Sequence, residues 1–102
     1  MLYTLTAFDK PGEEARANRA RLRLQHMDNL YRLHQAGQLL DGGAYVDDAG
    51  NMNGSILLLS FADEAELQAY RHSEVFIDDV WGEVTLTPFR RIDWDKFLAA
   101  RG

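Results

Sequence analysis

His26 is the side chain in this sequence best placed to do chemistry. At 100° per residue, Arg19, Leu22, His26, Leu30 and Leu33 fall within one helical arc of about 80°. An imidazole in the middle of that leucine stripe faces a core or a pocket rather than water. Imidazole changes protonation near neutral pH, so a pocket histidine can serve as general acid or base. The same position also suits a core-edge histidine bonded to a backbone carbonyl. Arg23, one turn earlier, falls at the rim of the arc. A guanidinium there can hold an anionic or phenolic oxygen through two parallel hydrogen bonds, or simply extend to solvent.

Other chemistries lack their residues. With no cysteine, the chain has no thiol nucleophile, thiolate metal site or disulfide. Gly42-Gly43 lacks the further glycines and following helix of a dinucleotide-binding turn. His34 and His72 are too scattered relative to His26 for a metal site, so neither metal nor cofactor is expected. Glu13-Glu14 suits a helix start, and Asp47-Asp48 suits a solvated loop tip. His72-Ser73-Glu74 reads as a turn whose Ser and Glu cap backbone groups. Trp81 and Trp94 read as core or interface anchors.

Eleven Lys and Arg against sixteen Asp and Glu give a formal charge of 11 − 16 = −5, which argues against a nucleic-acid partner. The longest apolar run, Ile56–Leu59, falls far short of the ~20 residues of a membrane span. Met1–Phe8 shows no targeting pattern, and a cytoplasmic location is expected. The 102 residues fit a single domain, 1–102.

The elements that must position His26 follow from periodicity. Leu2–Phe8 alternates as a strand with one buried face, and Asp9–Gly12 supplies turn chemistry. Residues 13–36 carry the helical period, closed by Gly37. Gln38–Val46 reads as a strand in which Gly42-Gly43 marks a bulge or a close approach. After a polar hairpin loop over Asp47–Gly54, Ser55–Phe61 reads as a central strand buried on both faces. Asp63 can cap a helix over Glu64–Arg71. His72–Trp81 is irregular or a short helical turn. Val84–Ile92 alternates again, with Pro88 arguing for an edge, and Asp93–Leu98 forms a last turn of helix. This order is the ferredoxin-like βαββαβ arrangement, an antiparallel sheet with both helices on one face. Tyr3, Leu5, Leu57 and Leu59 are more apolar residues than a two-layer monomer is expected to cover. A homodimer through the open sheet face is therefore expected.

Several segments together resemble the YciI-like (YCII-related domain) family. They are Met1-Leu2-Tyr3, the R-x-x-H-x-x-x-L segment from Arg23 to Leu30, and Gly37–Gly43 as G-x-L-L-x-x-G. Gly54-Ser55, Phe61–Ala65 and Thr87-Pro88-Phe89 complete the series. The resemblance implies a protomer of the dimeric α+β-barrel superfamily with a cleft between helix and sheet. It also implies a His–Asp pair in that cleft, and the family includes a dehydrochlorinase of a chlorinated hydroxyquinol. His26 matches the histidine. Ser73 stands where the family usually has its Asp, and Glu74 takes that role only by a one-residue shift, with Asp41 a more distant candidate. Three functions are then open. The first is a cofactor-independent lyase, isomerase or dehalogenase, with His26 moving a proton and Arg23, Ser73 and Glu74 serving substrate or histidine. The second is a non-catalytic small-ligand-binding or accessory dimer using the same pocket. The third is an oligomerisation module.

Overall fold

The computed structural model describes residues 1–102. The elements are β1 (Leu2–Asp9), α1 (Glu13–Gln35), β2 (Leu39–Val46), β3 (Met52–Ser60), α2 (Glu64–Ser73), α3 (Phe76–Asp79), β4 (Trp81–Phe89) and α4 (Trp94–Arg101). The strands form one antiparallel sheet in the order β2-β3-β1-β4. That order, with α1 and α2 packed on one face, is the ferredoxin-like α+β fold. None of the helices is long and apolar enough to cross a membrane.

Local chemistry sets the boundaries. Helix α1 ends where Gly37 turns to φ +76°, so that the Gly37 and Gln38 amides bond back to the His34 and Leu33 carbonyls. Helix α2 starts where Asp63 Oδ1 accepts the Glu66 amide at 2.9 Å. Strand β3 lies between β2 and β1, and Pro88 sits on the edge strand β4, where its missing N–H leaves no ladder bond unmade. Several bounds differ from the sequence pattern: β4 ends at Phe89 rather than Ile92, α2 runs on to Ser73, and β1, β2 and β3 each shift one residue at one end. Strand β3 begins three residues early because Asp47 Oδ1 gathers the amides of Ala49 and Asn51 and shortens the loop. Strand β4 begins at Trp81, past a register shift opposite Asp9. Helix α4 runs eight residues, started by Asp93 Oδ1 on the Lys96 amide.

The core lies between the helices and one sheet face. It contains Leu5, Leu57 and Leu59 from the sheet, Leu22, Leu30 and Leu33 from α1, Leu67 and Tyr70 from α2, and Phe61, Phe76, Val80 and Trp81 around them. The expectation that Tyr3, Leu5, Leu57 and Leu59 lie partly beyond the helices is corrected by the register. Tyr3 stands opposite Leu59 and Leu5 opposite Leu57, so all four project to the helix side. The other face belongs to the alternate set, including Thr4, Thr6, Phe8, Ile56 and Leu58. Ile56 is 40% exposed there, so in this chain β3 is not buried on both faces. On that open face Phe8 and Tyr45 stack at 4.8 Å across Gly54.

The glycine pair in β2 does two different things. A Cβ on Gly42 would stand 2.9 Å from the Ile56 carbonyl oxygen and 2.7 Å from Leu57 Cδ2, whereas one on Gly43 would meet nothing within 4 Å. Gly42→Ala is therefore expected to lower unfolding free energy by about 1–3 kcal/mol in urea, while Gly43→Ala stays within about 0.5 kcal/mol. Equal effects of the two substitutions would contradict this account of the close approach.

Candidate active site

Helix α1 carries His26 inward because Leu22, Leu30 and Leu33 are buried on the same face. The ring lies parallel to Phe76 at 3.9 Å and edge-on to Trp81 at 5.7 Å. Its Nδ1 is 2.7 Å from Glu74 Oε2. Glu74 is the residue at which the chain leaves α2 in an extended conformation, so its side chain turns back toward α1. The Phe76 amide donates to Oε2 at 3.2 Å, and the Tyr70 hydroxyl donates to Oε1 at 2.9 Å. The carboxylate thus accepts from three donors, and its side chain has no solvent exposure.

These contacts define the state of the imidazole. An ionised carboxylate only accepts, so the Nδ1 facing it carries hydrogen, and in the neutral ring the lone pair is on Nε2. Nε2 has no partner within the chain and is not sealed from solvent. Burial, followed by the charge and hydrogen bond of Glu74, pushes the Tyr70 hydroxyl far above the usual phenol range. Tyr70 therefore remains a donor to Glu74 across the working pH range.

His26 lines a cleft of about 480 Å³ between α1 and the β2–β3 side of the sheet. Met27, Leu30, Leu39 and Leu57 make the wall largely apolar, and Gly42 and Gly43 contribute no side chains to it. Two arginines reach it, in different states. Arg19 is held by Asp9 through two bonds of 2.6 and 2.7 Å and lies over the Phe76 ring, 5.0 Å from its centroid. Arg23 is exposed and has no ion pair or hydrogen bond within the chain, so its donors remain available to a ligand. No group of three or more His, Asp or Glu side chains converges to hold a metal ion.

The structure brings His26 and Arg23 to the cleft and places Ser73 and Glu74 behind it. Glu74 touches the histidine but does not line the cavity. Ser73 Oγ donates to the Tyr70 carbonyl at 2.8 Å and accepts from Asn29 Nδ2 at 3.1 Å, tying α2 to α1. Arg32 in turn donates to Asn29 Oδ1. Asp41 is on the cleft wall, with its carboxylate accepting the Gly42 amide. Sequence reasoning missed Tyr70, Phe76 and the Asp9–Arg19 pair. Tyr70 had a signal, since it precedes Glu74 by one helical turn. The other two are joined by tertiary packing alone.

Residues 1–90 match the YCII-related domain. No curated protein matches. Among solved structures, 5-chloro-2-hydroxyhydroquinone dehydrochlorinase (TftG) from Burkholderia phenoliruptrix AC1100, in complex with 2,5-dihydroxybenzoquinone, superimposes with a TM-score of 0.74. It is 18% identical, over 89% of this chain and 95% of that one.

Tyr70→Phe removes one of the three donors to a carboxylate that water cannot reach. The expected cost is about 1–3 kcal/mol in urea denaturation at neutral pH. Because the folded state raises the Tyr70 proton affinity, that contribution is present below the unfolded phenol value of ~10 and is lost as pH rises above it. The wild type should therefore lose more stability than Tyr70→Phe on going from about pH 9 to 11.5. Parallel losses would show that the folded environment of Tyr70 does not raise its proton affinity.

Proposed function

Because the chain belongs to the YCII-related domain family, we propose that it is a cofactor-independent enzyme that moves a proton on a small oxygenated or aromatic substrate. The reaction type is that of a dehalogenase, lyase or isomerase. The observation that carries this reading is the His26–Glu74 pair, with Nδ1 fixed on a buried carboxylate and Nε2 free at the wall of an apolar cleft. The solved dehydrochlorinase with a dihydroxybenzoquinone supports a hydroxylated six-membered ring as the substrate class.

In this proposal Nε2 takes a proton from a phenolic or enolic group of the ring. Glu74 stabilises the imidazolium that results, as a carboxylate does behind a catalytic histidine. Nε2 returns that proton to the ring carbon bearing the leaving group, which gives a keto isomer with that carbon tetrahedral, the point at which an isomerase stops. For elimination, Nε2 then takes the proton of a second ring hydroxyl, whose electron pair moves through the ring and expels the group as an anion, leaving a quinone. The imidazolium passes its proton to water. Arg23 binds the oxygen that becomes anionic, where a charge-assisted hydrogen bond strengthens as charge develops. Glu74 and Ser73 act without touching substrate: Glu74 orients His26, and Ser73 with Asn29 fixes the α1–α2 junction. A homodimer through the open sheet face and a cytoplasmic location complete the proposal. The apolar cleft wall also suits a non-catalytic ligand-binding or accessory role, which the same experiment separates.

The test is turnover of ring-chlorinated and unchlorinated hydroxyquinols by purified protein, following chloride release and ring absorbance. His26→Gln should abolish turnover, and Glu74→Gln, whose amide can present a donor to Nδ1, should lower kcat/KM by about 10²–10⁴. Arg23→Met should raise KM about tenfold or more with a smaller change in kcat. Turnover that survives His26→Gln would overturn the mechanism. Saturable binding with no turnover of any ring in the set would instead establish the binding role.

A further inference from the structure

We propose that residues 90–102 form an arm that crosses to a second copy of this chain. There, Trp94, Phe97 and Leu98 would seat on the open sheet face, against the back of the His26 cleft. The inference rests on the homodimer proposed above and adds to it a contact made by residues 91–102, outside the span that matches the YCII-related domain.

The arm stands away from the body that carries it. No residue from Thr87 to Gly102 is buried. A 102-residue chain packed to ordinary density has a radius of gyration of about 13 Å, whereas this one measures 15.6 Å with a long axis of 55 Å. Trp94, Phe97 and Leu98 follow the i, i+3, i+4 spacing of one helix face and are 61%, 45% and 61% exposed. Trp94 and Phe97 already pack edge to face at 5.9 Å. A helix of eight residues is too short to persist in water on its own propensity, even with the Asp93 cap. Its apolar face needs a surface.

A second copy offers one that fits. A groove of about 510 Å³ on the open sheet face is lined by Thr4, Gly43, Ile56, Leu58 and Phe89, and Asp41 is its sole charged residue. The charges are complementary. Arg90, Arg91, Lys96 and Arg101 against Asp93 and Asp95 give the arm 4 − 2 = +2, which leaves −5 − 2 = −7 on the rest of the chain. Two copies related by a two-fold axis would fill both grooves with both arms, a closed arrangement that leaves neither apolar surface bare. The seat also bears on the cleft. Asp41, Gly42, Gly43 and Leu57 line both the groove and the His26 cleft, and at the two glycines only backbone separates them.

Two measurements on the full-length chain test the arm. The chain has no cysteine, so Ala100→Cys carries a unique spin label. Spin-labelled chains without ¹⁵N, mixed with ¹⁵N-labelled wild type, should broaden the ¹⁵N-chain amide signals of Gly43, Ile56 and Leu58. In sedimentation equilibrium, Trp94→Glu with Leu98→Glu should weaken dimerisation by about 30-fold or more, the scale of losing one aromatic anchor. A tight dimer with no intermolecular broadening and an unchanged dissociation constant would overturn the arm while leaving the dimer intact. In a second sample the spin label and ¹⁵N are on the same chain, diluted into excess wild type that carries neither. Broadening of Gly43, Ile56 and Leu58 there, and not in the mixed sample, would place the arm on its own body and overturn the crossing. A chain that stays monomeric at every concentration would remove the dimer and the arm together.

Discussion

A carboxylate with no access to water must find its hydrogen bonds inside the protein, and in this chain Glu74 finds all of them. An unpaired buried charge costs roughly several kcal/mol, so these partners are obligatory. They come from three elements. His26 comes from α1, Tyr70 from α2, and the Phe76 amide from the start of α3. Satisfying one side chain therefore fixes how the three helices meet. It also fixes the imidazole, whose ring is held between Phe76 and the edge of Trp81 with one nitrogen committed to Glu74 and the other left for the cleft. The constraint that stabilises the junction and the one that prepares the site are the same.

The sheet contributes differently to its two faces. Its helix side provides Leu5, Leu57 and Leu59, on which α1 and α2 rest. Where β2 departs from that packing, Gly42 and Gly43 leave room for the cleft beside His26. Its other side shows Phe8, Ile56 and Phe89 to solvent in a single chain. Arg19 links the body to the site, since Asp9 on β1 holds its guanidinium over the Phe76 ring on which His26 stacks. Arg23, lacking any such tether, is the cation left to meet a ligand. Two arginines one helical turn apart thus have separate tasks, set by whether a carboxylate stands within reach.

Much of the fold was legible because its elements repeat with clean periods. The arc of Leu22, His26, Leu30 and Leu33 identified the buried face of α1, and Pro88 identified an edge strand. Faces across strands were not legible in the same way. Whether Tyr3 and Leu57 share a side depends on the register between β1 and β3, which no single strand's pattern contains. At the site, His26 was visible because a titratable residue interrupts a leucine stripe. Its partner was ambiguous between Ser73 and Glu74, because one residue of phase at a helix end decides which side chain turns inward. The chain leaves α2 in an extended conformation at Glu74, and that turn sends the carboxylate, not the serine, to the histidine. Phe76 gave no sequence signal, since stacking on an imidazole depends only on how α1 and α3 pack; Arg19 was visible on the His26 arc, but its carboxylate partner Asp9 was not. Helix α4 was underestimated because it buries nothing that would show as a pattern.

Glu74 holds the hydrogen of His26 on Nδ1 and turns a bare Nε2 toward the cleft. Long-range ¹H–¹⁵N correlation NMR on the ring, at a pH where His26 is neutral, tests it most directly. The wild-type ring is expected as the Nδ1–H tautomer, with a shift toward the Nε2–H form in Glu74→Gln, whose amide can donate to Nδ1. A wild-type ring with its hydrogen on Nε2, or a tautomer indifferent to Glu74→Gln, would contradict it.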